Sequence, residues 1–120
     1  MPSKRPEVRF ADIVENIDAI VRYTARMSEG QFLADSKTLD AAERCLLRIS
    51  EAAVKLGDLG ERLAPDQPWP GIRGIGNRLR HDYDTIDRGE IWRIVTGDLA
   101  SLRTSCTSAI EQLQKVGDVD

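Results

Sequence analysis

A chain of 120 residues, 41% of them hydrophobic, has the size of one domain around a single apolar core. It holds no apolar run approaching the roughly 18 residues that a membrane-spanning helix needs, so no membrane role is expected. Seventeen basic residues against 20 acidic ones give a formal charge of −3, which excludes a surface that grips nucleic acid through many phosphates and leaves room only for a local basic patch.

The start, Met1 to Glu7, is polar and basic and leads into no apolar stretch. It reads as a flexible leader over residues 1–8 rather than a secretion signal, and a cytoplasmic location is expected. A helical domain over residues 9–116 follows, with a frayed end at 117–120. Phe10, Ile13, Val14, Ile17, Ile20 and Val21 recur three, four and seven apart and predict a first helix from about Arg9 to Met27. Ser28-Glu-Gly-Gln31 spells a capping box, in which each side chain satisfies the other residue's free backbone N–H, and a short helix with Phe32 and Leu33 should follow.

Ser36 is a candidate N-cap for the next helix, in which Leu39, Ala42, Leu46, Ile49, Ala53 and Leu56 step by alternating threes and fours. Gly57, Gly60 and Pro65 should end it near Arg62. Pro65, Pro68 and Pro70 stiffen the turn from Ala64 to Gly71, and Trp69 is expected to anchor it on the bundle. A shorter helix with Ile72, Ile75 and Leu79 comes next. It is weakened by Gly71, Gly74 and Gly76, each costing on the order of 1 kcal/mol against alanine, which points to a packing or functional reason for them.

Asp87-Arg-Gly-Glu90 is a second capping box. Trp92, Val95, Leu99, Leu102, Cys106, Ala109, Leu113 and Val116 then predict one last helix of roughly 40 Å at about 1.5 Å per residue, bent at Gly97. Cys45 and Cys106 fall inside these apolar patterns with no second cysteine or histidine at ligand spacing, and are expected to be small buried hydrophobes. No metal or other cofactor is expected. The helices and their short connections predict an all-α, antiparallel four-helix bundle with an extra short helix. Helices this long leave side surface that one core cannot cover, so a homodimer is expected.

His81 is the single histidine. Helical spacing puts Asn77 one turn before it, Arg73 roughly two turns before it, and Arg78 three residues before it. Tyr83 follows within a turn. The stretch from Gly71 to His81 holds Arg73, Arg78 and Arg80 and no acid, a basic patch within an acidic molecule. Such a cluster suits cleavage of RNA: an imidazole can move the 2′-hydroxyl or leaving-group proton, and a guanidinium can hold the phosphate. One chain supplies one histidine, whereas a symmetric dimer would supply both a base and an acid.

The stretch Pro68-Trp-Pro-Gly-Ile-Arg-Gly-Ile-Gly-Asn-Arg-Leu-Arg-His-Asp-Tyr83 resembles the HepT-like branch of the HEPN superfamily, whose motif is commonly Arg-Asn-x3-His-x-Tyr. Ile49-Ser-Glu-Ala-Ala-Val-Lys-Leu56 is similar to that family's Ile-Gly-Glu-Ala-Ala-Lys helix, and Asp87 to Leu99 to its Asp…Ile-Trp…Val…Asp-Leu helix. The likeness runs from about Phe10 to Leu113. It implies a helical homodimer acting on RNA as a metal-independent endoribonuclease, the toxin of a two-gene module. It also implies a partner, a minimal nucleotidyltransferase antitoxin that can attach AMP to the motif tyrosine. Residue by residue, it assigns the polar motif position to Asn77, the histidine to His81 and the AMP acceptor to Tyr83. The motif arginine falls on Gly76. Arg73, Arg78 or Arg80 would then have to hold the phosphate; the alternative is a catalytically impaired subunit that binds the nucleotidyltransferase. Gly76→Arg, which restores the motif, asks whether RNA cutting rises sharply.

Overall fold

The apolar spacing that predicts helices also decides which of their faces meet. The computed structural model describes residues 5–81 and 86–119, with side chains described up to residue 115. It contains α1 (Pro6–Thr24), α2 (Glu29–Ala34), α3 (Ser36–Leu56), α4 (Leu59–Leu63), α5 (Trp69–His81), α6 (Arg88–Gly97) and α7 (Leu99–Val119). The protein is all-α, and no strand occurs among the described residues. None of its described helices is long and apolar enough to cross a membrane.

α1 lies along α3; α5 packs on α3 and α7 on α1. The core is the set of faces predicted from periodicity: Phe10, Ile13, Ile17 and Ile20 from α1, Leu39, Ala42, Leu46, Ile49, Ala53 and Leu56 from α3, and Leu99, Leu102, Cys106 and Ala109 from α7. Both cysteines are buried and free, and burial pushes the Cys106 thiol up to about 12.

Helix ends differ from the sequence expectation for local reasons. α1 begins at Pro6, three residues early, because a proline in the first turn is preset for helix and gives up only an N–H that would lack a partner. It ends at Thr24 rather than Met27, two residues before Arg26 turns left-handed at φ 64°. The Ser28–Gln31 capping box forms with both hydrogen bonds, at 3.1 and 2.8 Å. Asp35, not Ser36, caps α3: its carboxylate accepts from Thr38 N and from the Thr38 hydroxyl. α3 stops at Leu56, and Gly57, at φ 59°, separates it from α4.

The expected final helix is two. The break falls at Asp98, just after Gly97, where helix propensity is lowest. It lets the two pieces serve different partners. α6, capped by Asp87 accepting from Glu90 N, carries Trp92 against Phe32 of α2 with ring centroids 5.1 Å apart. α7 is then free to lay Leu102, Cys106 and Ala109 on the bundle. The described bundle therefore holds three short helices, α2, α4 and α6, where the sequence suggested one.

Candidate active site on the fifth helix

α5 is held at its start by Trp69. The ring is fully buried, meets Phe10 edge-on at 6.3 Å, and its indole N–H donates to Ala64 O at 2.8 Å, so the polar end is satisfied as burial demands. Gly60 makes this possible. A Cβ on residue 60 would lie 2.7 Å from the indole ring, closer than packed atoms approach.

One and a half turns later, α5 touches α3. Ser50, the one buried polar side chain of the described core, donates its hydroxyl to Arg73 O at 2.8 Å and accepts from Gly76 N at 3.0 Å. A Cβ on residue 76 would meet Ser50 Oγ and come within 2.9 Å of Ser50 Cβ. Position 76 therefore points into the helix–helix contact and has no room for a side chain while residue 50 is serine. The family form that this chain resembles has glycine at the position of Ser50 and arginine at that of Gly76. Restoring arginine at position 76 alone runs into this contact.

The three arginines of α5 do not form a free basic patch. Arg73 makes two hydrogen bonds to Glu61 of α4, at 3.1 and 2.7 Å, and these hold the Glu61 carboxyl below its ordinary range. Arg78 Nη2 lies 2.9 Å from Glu90 Oε2 of α6, an ion pair whose angles fall short of a hydrogen bond. Arg80 Nη1 lies 3.7 Å from Glu51 Oε1 of α3. Charge counting along α5 missed this, because every carboxylate comes from another element.

Asn77 and His81 are exposed. Four residues apart, they stand one above the other on the solvent face of α5. Arg73 lies at the half-buried edge of that face, turned to α4, and Arg78 on the flank toward α6. A cleft of about 540 Å³ opens on this second flank, lined by Ile72, Ile75, Ile94 and Leu102 with Arg78 and Glu90 on its wall. His81 and Asn77 do not line it. Tyr83 lies outside the described residues. Among the described residues, no group of three or more histidines, cysteines and carboxylates is arranged to hold a metal ion.

Sequence reasoning missed Ser50 and the three carboxylates Glu51, Glu61 and Glu90. A signal for Ser50 was present: a serine in place of glycine in one family segment, together with a glycine in place of arginine in the other.

Comparison with known proteins places this geometry in context. The family described as "Ribonuclease HepT-like" matches residues 13–109. "Putative RNase MJ0127" of Methanocaldococcus jannaschii is 36% identical over 95 residues, which are 79% of this chain and 78% of that protein. "Probable ribonuclease HepT" of Thermococcus cleftensis is 34% identical over 92 residues, 77% of this chain and 84% of that protein. No solved structure gives a significant match.

Proposed function

The chain belongs to the ribonuclease HepT-like family, and from that premise we propose that it is a metal-independent endoribonuclease, the toxin of a two-component module, working as a homodimer with His81 as its acid–base group. One observation carries the reading: Asn77 and His81 stand exposed one turn apart on a helix whose position is fixed by the buried Trp69 and by the Ser50 contact.

In the reaction, one imidazole takes the proton of a ribose 2′-hydroxyl. The 2′-oxygen attacks the adjacent phosphorus, the bond from phosphorus to the 5′-oxygen breaks, and that oxygen takes a proton from a second acid. The second copy's histidine supplies the acid, which is why a dimer belongs to the proposal. Asn77 donates its side-chain N–H to a phosphate oxygen. The partner of the module is a minimal nucleotidyltransferase antitoxin, and Tyr83 is its AMP acceptor.

The test is cleavage of RNA by purified, partner-free protein in excess chelator. His81→Ala should lower the rate about 10²–10⁴-fold at unchanged Tm. Equal cleavage by the variant, or none by a folded, dimeric wild type, removes the enzymatic reading.

A second reading has its own support in Gly76, whose position carries no side chain, and in the pairing of every α5 arginine with a carboxylate. It makes the chain a non-catalytic subunit that binds the nucleotidyltransferase. That protein would cut no RNA, and its complex would be indifferent to His81→Ala.

A further inference from the structure

Resting on the nuclease reading, we propose that Arg80 is the residue that holds the scissile phosphate beside His81, in place of a side chain at position 76. Arg80 is three residues after Asn77 and His81 is four, so both are surface neighbours of Asn77 on successive turns, one on either side. A phosphate seated over Asn77 is approached by the guanidinium from one flank and by the imidazole from the other. Arg73 is a full turn further back, and Arg78 lies on the far side of His81.

Side chains on a helix lean toward its N-terminus. The guanidinium of Arg80 accordingly lies back over the preceding turn, with Nη1 3.4 Å from where a Cβ on residue 76 would sit. Gly76 thus leaves open the space through which Arg80 passes. A larger residue there would contest both Ser50 and Arg80.

Arg80 is also the arginine of α5 with the loosest restraint. Its partner Glu51 is 3.7 Å away, and the two side chains are 42% and 49% exposed. Arg73 is held by two hydrogen bonds to Glu61, and Arg78 approaches Glu90 to 2.9 Å. An exposed ion pair of this kind contributes little, and a phosphate displaces it readily. Glu51 is not stranded when Arg80 leaves. Arg48 and Lys55, both exposed, are three residues before it and four after it on α3, the spacing at which helical side chains meet. A guanidinium also fits the task better than an ammonium, since it can hold two phosphate oxygens at once.

The experiment uses the full chain. Arg80→Ala should lower kcat for RNA cleavage about 10²-fold, the scale of losing one transition-state contact, with Tm unchanged. Arg80→Lys should recover part of the loss. Glu51→Gln, which frees Arg80, should leave kcat intact and tighten RNA binding. Arg80→Ala cutting at the wild-type rate, while His81→Ala is inactive, would overturn the assignment and leave the nuclease reading standing. Should the wild type itself cut nothing, the nuclease reading falls, and binding decides the role of Arg80. An RNA oligonucleotide carrying 2′-O-methyl groups, followed by fluorescence anisotropy, should bind Arg80→Ala more weakly, with its salt slope reduced by about one. Unchanged affinity and slope would overturn the assignment.

Discussion

The two halves of α5 are built to opposite ends. From Trp69 to Gly76 the helix is fastened to its neighbours by a buried indole, a serine hydroxyl reaching its backbone and a two-point Arg73–Glu61 pair. From Asn77 to His81 it carries the exposed Asn77 and His81 and the loosely held Arg80, with Arg78 paired to Glu90 on its flank. The contrast separates a fastened half from an exposed half within a single helix. Arg73, on a similar helical face to His81, is turned to Glu61 of α4 and fastens the rigid half. A catalytic group gains from being mounted on a rigid element while staying accessible itself.

The largest predicted effect comes from unfastening the rigid half. Trp69→Ala removes the largest fully buried side chain and leaves Gly60 facing a void. It should cost about 3–5 kcal/mol in urea unfolding and lower Tm by at least about 10 °C. A loss below about 1 kcal/mol would show that the anchor is not what holds α5, and the contrast between its halves would lose its basis.

A smaller effect sharpens where the boundary lies. Gly76→Arg alone should destabilise by about 1–3 kcal/mol through overpacking against Ser50. Ser50→Gly combined with Gly76→Arg should recover most of that loss. In a double-mutant cycle the two changes should therefore be strongly non-additive. Any gain in RNA cleavage from the arginine should appear in the double variant rather than in Gly76→Arg alone. Additive energies would mean that residue 76 does not meet Ser50.

Periodicity made the core and the class of the fold legible, because burial of one helical face leaves its rhythm in the sequence. Phe10 to Ile20 and Leu39 to Leu56 are cases in point. Trp69 was legible as an anchor because prolines on both sides of it leave the chain little else to pack. The break at Asp98 was not, since the apolar rhythm runs on through it, and only the need of Trp92 for α2 distinguishes the two pieces. On α5, the shared solvent face of Asn77 and His81 was legible from their spacing. The neutralisation of Arg73, Arg78 and Arg80 was not, because Glu61, Glu90 and Glu51 are distant in sequence and ion pairing across elements leaves no local pattern.

The smallest predicted effect is in pH. Hydrogen bonds from Arg73 hold the Glu61 carboxyl below the ordinary 4.5 of a glutamate. A carboxyl whose folded value is depressed adds stability that is fully present above its unfolded value and is lost as pH falls through the folded one. Wild-type Tm should thus fall more steeply than that of Arg73→Gln as pH drops from about 5 toward 3, with less than one extra proton taken up on unfolding. Asp18 and Asp66, also held low by Arg103 and Ser105 respectively, contribute the same background to both proteins and cancel in the difference. Parallel Tm curves would show that the Arg73–Glu61 pair does not fasten α5. The same variant tests the other half of the contrast at neutral pH. RNA cleavage by Arg73→Gln should stay within a few-fold of wild type, because a surface-edge pair that only positions the helix contributes little. A loss comparable to that predicted for Arg80→Ala would place Arg73 among the groups that touch the substrate.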